Sequence, residues 1–339
     1  MGELKERRVG DYHVIPYISG RLLQAIPLLL LISLIAFGII LATGDPLAAY
    51  TVDASLTSAD ISRLRAQYGL DQPVPLQYAN WLKNVLAGDW GTSFYTRQNV
   101  VDMVFERMPN TLILVAISYT MILTFGITLG IVTAVRQYSI LDYTVTGFSF
   151  VGNAMPSFWL GLILIVVFAV RFKQAGLPFL PVGGMYDLEV GKTIGQVALH
   201  AILPAVTLSI AVCARYVRYI RAEILEHLHL EYVNTARAKG LREPLVLARH
   251  VFRNALLPVI TLVGMDLPNL LSGAIVIETV FAWPGMGRLF WSSAERTDIP
   301  VLMAIMLLVA QLTVLSKLVA DILYAVVDPR IRYSGSGRT

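Results

Sequence analysis

Four ionisable residues lie in or beside long apolar runs, where a charge is costly and most often serves a function. Lys317 and Asp321 are four residues apart, so on a helix they would share one face and form an ion pair. Asp266 has no such partner nearby in the sequence, and Glu278 lies near the end of its run, ten residues before Arg288. We therefore predict a structural ion pair at Lys317 and Asp321, and take Asp266 and Glu278 as candidate pathway-lining residues. For Glu278 a contact with solute or with Arg288 is open, and for Asp266 the alternative is a contact with a neighbouring helix or subunit.

The residue types that most often carry catalysis do not form a catalytic pattern in this sequence. A phosphate-binding loop needs a glycine five residues before its Gly-Lys-Thr, but Gly191-Lys-Thr193 has Tyr186 at that position. His227 and His229 are two residues apart and point to different faces of a helix, and Cys213 is the only cysteine. Neither G-x-S-x-G nor H-E-x-x-H occurs. We predict that the chain is not an enzyme, holds no metal and has no catalytic residue. The rival hypothesis is an intramembrane enzyme, for which the sequence offers no candidate nucleophile.

The composition of the 339-residue chain is that of an integral membrane protein. Hydrophobic residues make up 56% and charged residues only 15%, whereas about 25% of the residues in a soluble domain are charged. Six apolar runs are each long enough to cross the hydrocarbon core as a helix, and the first is too long for a signal peptide. They predict an all-α membrane protein with six spans near Leu22–Ala42, Thr111–Val135, Val145–Val170, Leu199–Tyr219, Ala255–Phe281 and Val301–Val327.

The placement of Lys and Arg predicts the orientation of these spans. The N-terminus, the loop at Arg136, the stretch from Arg215 to Arg253 and the C-terminal tail carry more Lys and Arg than the opposite segments, so they are expected on the cytoplasmic side. Both termini would then be cytoplasmic. The net charge of +4 is spread between the apolar runs, which gives no basis for nucleic-acid binding. The predicted divisions are a cytoplasmic N-terminus, 1–21, a first span, 22–42, an outer loop with short helices, 43–110, a transmembrane domain, 111–327, that includes a cytoplasmic loop, 221–254, and a tail, 328–339.

The cytoplasmic loop contains the most distinctive motif of the chain. It reads Glu231-Tyr-Val-Asn-Thr-Ala-Arg-Ala-Lys-Gly240-Leu241. On a helix Ala236 and Gly240 share one face, which would let another protein approach closely. Gly240 suits the end of that helix and Pro244 the first turn of the next one. The residues alone leave open a second interpretation, an ordinary basic connecting loop.

This segment resembles the signature loop of permease subunits from ATP-binding-cassette (ABC) importers, and its sequence is similar to that of the peptide and nickel subfamily. Asn234 and Thr235 depart from the general motif, which has Glu and Ala there. Further stretches match the same subfamily in order and cover nearly the whole chain: Gly44-Asp-Pro46, Tyr68-Gly-Leu-Asp-Gln-Pro73, Gly88-Asp-Trp-Gly-Thr-Ser93, Pro156-Ser-Phe-Trp159, Glu278-Thr-Val-Phe-Ala-Trp-Pro-Gly-Met-Gly-Arg288 and Asp328-Pro-Arg-Ile-Arg332.

The resemblance implies a type I importer permease fold in the bacterial inner membrane and a set of partners. These are a homologous permease that completes the pathway, two ATPase subunits that bind ATP and Mg, and an external solute-binding protein. It implies a coupling helix that docks on the ATPase, formed by Glu231, Tyr232, Asn234, Thr235, Ala236, Arg237, Ala238, Lys239, Gly240 and Leu241. Di- or oligopeptides are the expected substrates. The alternatives are nickel, glutathione, oligosaccharides or opines, and, more distantly, a secondary transporter driven by an ion gradient.

Overall fold

The computed structural model describes residues 14–45, 47 and 57–327, and within these it is helical apart from loops and one isolated bridge between Thr92 and Asn99. The first helices are α1, Val14–Thr43; α2, Ser58–Gln67; α3, Val74–Leu86; α4, Val100–Val135; and α5, Ile140–Ala154. Next are α6, Ser157–Gln174, which contains a π-helical stretch, and the long α7, Ile194–Leu228. The short α8, Glu231–Ala238, precedes α9, which runs through Glu243–Val246, Leu247–Phe252 and Arg253–Ala255. The chain continues with α10, Leu257–Val280; α11, Met286–Glu295; and α12, Ile299–Val327.

Six helical segments of the described chain are long and apolar enough to cross a bilayer, which confirms the predicted all-α architecture. Many of their large apolar side chains are exposed, such as Leu31, Phe125 and Trp159. This outward apolar surface is expected where a protein meets lipid tails rather than water. The segments are Leu23–Ala42, Val100–Val135, Ser157–Gln174, Ile194–Leu228, Glu243–Leu270 and Ile299–Val319.

The second and fourth spans lie in longer helices than the hydropathy pattern predicts. Helix α4 begins at Val100 instead of Thr111, because the side chain of Asn99 caps it by accepting a hydrogen bond from the N–H of Val101 at 2.8 Å. The predicted outer loop 43–110 therefore includes the first three turns of α4. Helix α7 is capped in the same way by Thr193. Apolar runs locate the part of a helix in lipid, whereas caps locate its ends.

The third span was wrongly predicted as one helix over Val145–Val170. Helix α5 ends at Ala154. The next residue, Met155, has extended backbone angles, φ −83° and ψ 127°, and Pro156 then precedes the first residue of α6. A proline disfavours helical geometry in the residue before it, because its ring carbons clash with that residue's backbone. The apolar run is thus shared between α5 and α6, and only the second of these is long and apolar enough to span.

Helix α7 is the centre of the main apolar core, and α4 packs closely along it. A β-carbon added at Gly126 would lie 2.8 Å from Cβ of Tyr216, and one added at Gly130 would lie 2.8 Å from Cβ of Ile220. Contacts this short exclude a larger side chain unless the two helices move apart. The two glycines therefore let α4 approach α7 directly and hold it in a fixed register.

The segment between α1 and α4 contains two helices in its described part, in agreement with the short helices predicted for this loop. Phe37 of α1 packs edge-on against Tyr78 of α3, with ring centroids 5.5 Å apart, and also contacts Trp81. The carboxylate of Asp298, just before α12, accepts hydrogen bonds from the hydroxyl of Ser93 and from the backbone N–H of Phe94. These contacts attach the segment between α1 and α4 to α1 and to the start of α12.

Candidate coupling helix and polar groove

Helix α8 is a short surface helix that follows α7 after a two-residue turn. Its inner face is formed by Val233 and Ala236, which are buried in the same apolar cluster as Ile224 of α7 and Val251 of α9. The prediction that Ala236 offers a small face to another protein is therefore wrong, because that face is already covered by this chain. The opposite face is exposed and consists of Glu231, Asn234, Thr235 and Ala238.

The turn after α8 has the geometry that the sequence predicted. Gly240 has φ +76°, in the left-handed region that glycine adopts without strain, and Pro244 lies in the first turn of α9. Arg237 bridges the turn by donating to both carboxylate oxygens of Glu243, at 2.7 and 3.2 Å. This hydrogen-bonded pairing raises the pKa of Arg237. The two helices are thus joined as one unit.

The remaining residues of the motif are exposed around this unit. The hydroxyl of Tyr232 lies 2.8 Å from Nδ1 of His227 at the end of α7, which gives that histidine a contact with the motif. Lys239 and Leu241 are exposed at the turn. Among the described residues no cluster of three or more His, Cys, Asp or Glu could hold a metal ion.

Asp266 lies at a groove between α7 and α10 and has a partner that the sequence did not reveal. Its Oδ1 accepts a hydrogen bond from Nη2 of Arg215 at 2.8 Å. The Asp266 side chain is only 7% exposed, whereas the Arg215 side chain is 47% exposed. The two residues are 51 positions apart in the sequence, and only the packing of α7 against α10 brings them together.

The groove beside this pair has a volume of about 480 Å³. Pockets that bind small molecules typically measure about 300–1,000 Å³. Its charged side chains are two arginines and one carboxylate, so cations outnumber anions among the residues that line it, which also include one asparagine and two tyrosines. Its lining consists of Arg215, Tyr216, Arg218, Tyr219, Leu262, Met265, Asp266 and Asn269.

Glu278, the second candidate pathway-lining residue, is buried, and its carboxylate joins α10 to α4 and α11 by hydrogen bonds. Its Oε1 accepts from the hydroxyl of Thr111 at 2.6 Å, and its Oε2 accepts from the backbone N–H groups of Gly287 and Arg288 at 2.7 and 3.2 Å. The side chain is fully buried and is absent from the lining of the groove. Its contact with Arg288 is therefore to the backbone and not to the guanidinium, which instead donates to the carbonyl of Ala282.

A second ion pair of α7 joins it to α5. Arg221 donates from Nε and Nη2 to the two carboxylate oxygens of Asp142, at 2.7 and 2.8 Å. Asp142 also accepts from the backbone N–H of Tyr138 and from the hydroxyl of Thr146. These hydrogen bonds, chiefly those from Arg221, hold the pKa of Asp142 below its ordinary value of 3.8. Both side chains are largely covered, with exposures of 24% for Arg221 and 3% for Asp142.

Sequence reasoning missed Arg215 and Arg218 as site residues, because it counted them with the cytoplasmic loop. Both belong to α7, and both lie within the predicted fourth span, Leu199–Tyr219. Their spacing of three places them on one face of the helix. An arginine inside an apolar run, followed by another at helical spacing, was the available signal. The prediction for Lys317 and Asp321 is untested, since Lys317 is exposed but the Asp321 side chain lies outside the described residues.

These features define a multi-pass membrane protein with a polar groove among its spans and a surface helix beyond them. Residues 126–333 match the family model of the binding-protein-dependent transport system inner membrane component, and residues 14–115 match the corresponding N-terminal model. The chain belongs to this family and is a permease subunit of an ABC transport system, as the resemblance predicted.

The chain is similar over almost its whole length to proteins that are named as transport permeases. It is 43% identical over 319 residues to the oligopeptide transport system permease protein AppB of Bacillus subtilis, covering 94% of this chain and 99% of that protein. It is 36% identical to the dipeptide transport system permease protein DppB of Escherichia coli, again covering 94% and 99%. A solved structure of inward facing conformations of the MetNI methionine ABC transporter shares its fold, with a TM-score of 0.53 and 16% identity over 67% of this chain and 97% of that one.

Proposed function

We propose that this chain is one of two permease subunits in an ATP-driven importer of di- and oligopeptides. The names of its relatives support peptides as the solute, since the oligopeptide and dipeptide transport permeases are 43% and 36% identical to this chain. A homologous permease supplies the other half of the pathway. An external solute-binding protein delivers the peptide to the outer face, in keeping with the family's designation as binding-protein-dependent.

ATP and Mg are bound by two separate ATPase subunits in this proposal. The support is the sequence, because Gly191-Lys-Thr193 lacks the glycine that a phosphate-binding loop needs at position 186. The basic segments near Arg136 and Arg253 lie on the cytoplasmic side, and so do both termini, in the inner membrane of a bacterium. The ATPase subunits then meet the chain at α8.

The coupling role is inferred from the two faces of α8, of which one is buried and the other exposed. One side, Val233 and Ala236, is buried in the core that contains α7, and the other side is exposed. A force applied to the exposed side is therefore transmitted to α7 through packed side chains. Closure of the ATPase pair on ATP moves α8 as a rigid body and switches the spans between outward and inward openings.

Glutathione is a second candidate solute, because the chain is also 38% identical to the glutathione transport system permease protein GsiC of Pectobacterium atrosepticum. Competition separates the two: excess glutathione blocks uptake of a labelled peptide only if both are solutes of this importer. Nickel and oligosaccharides have no such support among these relatives. An ion-coupled secondary transporter is not favoured, since the chain belongs to a family of ABC permeases.

Copurification tests the proposed assembly. The tagged chain is extracted from its native membrane in mild detergent, its partners are identified by mass spectrometry, and ATP hydrolysis by the complex is measured. We expect a second permease, proteins that contain ATP-binding cassettes, and hydrolysis that vanadate inhibits. Recovery of the chain alone would contradict the assembly.

A variant on the exposed face of α8 tests the docking surface. We expect Ala238→Trp to reduce recovery of the ATPase subunits at least fivefold, because the indole occupies the face on which they dock. Ala238 is a better site than Gly240, where any side chain is strained by the positive φ. The control is Gln137→Trp in the exposed turn between α4 and α5. Equal recovery from Ala238→Trp and wild type would refute docking at α8.

A further inference from the structure

The polar groove presents two arginines on one face of a membrane-spanning helix. Arg215 and Arg218 are three residues apart on α7, and both line the groove. Arg215 lies within the predicted fourth span, Leu199–Tyr219, about 6 Å from its predicted cytoplasmic end at 1.5 Å per residue. An arginine inside a span is tolerated where it faces protein, a water-filled cavity or the membrane interface and not lipid tails. Arg215 lines the groove with its side chain 47% exposed, so the groove supplies these polar surroundings.

Arg215 is held in position and keeps hydrogen-bonding capacity. A guanidinium carries five N–H donors in a planar fork, and the bond to Asp266 is made by Nη2 alone. Asp266 is nearly buried, so it anchors the arginine at one corner while the rest of the fork faces the groove. Arg218 is positioned differently, with its guanidinium carbon 4.9 Å from the centroid of the Phe150 ring. Both cations are thus oriented before a ligand arrives.

We infer that Arg215 and Arg218 form a carboxylate-binding site on the translocation pathway, which takes the C-terminal carboxylate of the transported peptide. One carboxylate balances the excess positive charge of the groove, and its two oxygens accept hydrogen bonds from the two guanidinium groups. This inference rests on the proposed peptide import. It adds the residues that contact the solute inside the membrane and the chemical group that they recognise.

The binding is transient, as transport requires. Asp266 shares Arg215 with the solute, so the pair persists when the peptide leaves and the groove is not left with an unpaired buried carboxylate. An anion of another origin, such as a lipid phosphate, could occupy the same two arginines. The experiment must therefore distinguish a solute carboxylate from any other anion.

The test compares uptake of a peptide and its amide by the same importer. The complete complex with its binding protein is reconstituted in liposomes, and ATP-dependent uptake of labelled Ala-Ala-Ala and of its C-terminal amide is measured. The quantity of interest is the ratio of the two rates. Because the same binding protein serves every variant, its own preference cancels when the ratio is compared between variants.

We expect Arg215→Gln and Arg218→Gln each to lower the acid-to-amide ratio about tenfold, the effect of losing a hydrogen bond to a charged group. Arg218→Gln leaves the Arg215–Asp266 pair intact, so it reports on the site without disturbing that contact. Arg221→Gln is the control, since Arg221 pairs with Asp142 away from the groove, and it should lower both rates without changing the ratio. Arg215→Lys should restore part of the ratio.

An unchanged ratio in both groove variants would overturn the inference, whether the absolute rates fall or not. A lipid phosphate at the site gives that result, because acid and amide are then affected alike. If wild type takes up neither peptide with ATP, the proposed function itself is wrong and the site with it.

A second measurement does not depend on turnover. In the assembled complex with Cys213→Ser, Met265→Cys provides one thiol in this chain, at an exposed position in the lining of the groove, and keeps both arginines. A negatively charged thiosulfonate reagent can modify this thiol. We expect Ala-Ala-Ala to slow this modification at least threefold and its amide to leave it unchanged. Equal protection by both peptides, or by neither, would contradict carboxylate binding in the groove.

Discussion

Helix α7 carries two arginines that each pair with an aspartate of another helix, and the two pairs differ in almost every physical respect. Arg221 and Asp142 form a bidentate pair. The aspartate accepts two additional hydrogen bonds, from Tyr138 just before α5 and from Thr146 within it. Arg215 and Asp266 are joined by a single hydrogen bond, and nearly half of the arginine side chain is exposed. The first is a closed pair, largely covered although 24% of the Arg221 side chain is exposed, whereas the second opens onto a groove.

The difference separates a structural contact from a site. Removing either member of a closed pair leaves the other charge without its ionic partner, so the pair is expected to serve the stability of the fold. An arginine that is anchored at one end and exposed at the other can bind a second anion without breaking its first contact. The same residue types on the same helix thus take different roles because of burial and hydrogen-bond number.

The largest effect is expected from Arg221→Gln. It leaves Asp142 buried without its cationic partner, and we expect a loss of about 3 kcal/mol in the free energy of unfolding, the lower end for a buried pair because Arg221 is partly exposed. Unfolding by SDS from a mild detergent measures this loss, with Arg215→Gln as the comparison. A larger loss for Arg215→Gln would reverse the assignment of the two pairs.

The next effect concerns the packing that holds α7 in place for both pairs. Gly130→Ala would put a methyl group 2.8 Å from Cβ of Ile220 and 3.1 Å from the carbonyl oxygen of Val217. We expect a loss of about 2 kcal/mol, since overpacking forces the helices apart. Gly147→Ala on α5 is the matched control, because no atom lies within 4 Å of its added β-carbon. Similar stability of both variants would refute close packing of α4 on α7.

The smallest effect on stability is expected from Asp266→Asn. The amide oxygen still accepts the hydrogen bond from Arg215, so only the charge is lost, and we expect a cost of about 1 kcal/mol in the same SDS titration. Asp142→Asn is the comparison at the closed pair, where four hydrogen bonds are affected and the loss should be at least twice as large. Equal losses would mean that the two pairs do not differ in the way that their burial indicates.

The number of spans and the turn after α8 could be predicted from the sequence, because both depend on local properties. Apolar length determines what can cross a bilayer, and Gly240 and Pro244 each favour one backbone geometry wherever they occur. The start of α4 was missed for a related reason. Its cap at Asn99 lies among polar residues that a hydropathy pattern does not separate from a loop.

The groove and the inner face of α8 could not be predicted, because they depend on which helices become neighbours. Nothing near Asp266 in the sequence indicates Arg215, and the small residue Ala236 is equally suited to an internal contact and to a partner. Glu278 was correctly noted near Arg288, but only the fold shows that backbone N–H groups, and not the guanidinium, bind its carboxylate.

The most direct test of the central claim is ATP-dependent peptide uptake by the reconstituted importer. Liposomes that contain this chain, its copurified permease and the ATPase subunits are supplied with the binding protein and labelled Ala-Ala-Ala, with and without ATP. The account predicts accumulation that requires ATP and the binding protein and is unaffected by dissipating ion gradients. Uptake that proceeds without ATP and stops when the ion gradient is dissipated would contradict it and identify a secondary transporter.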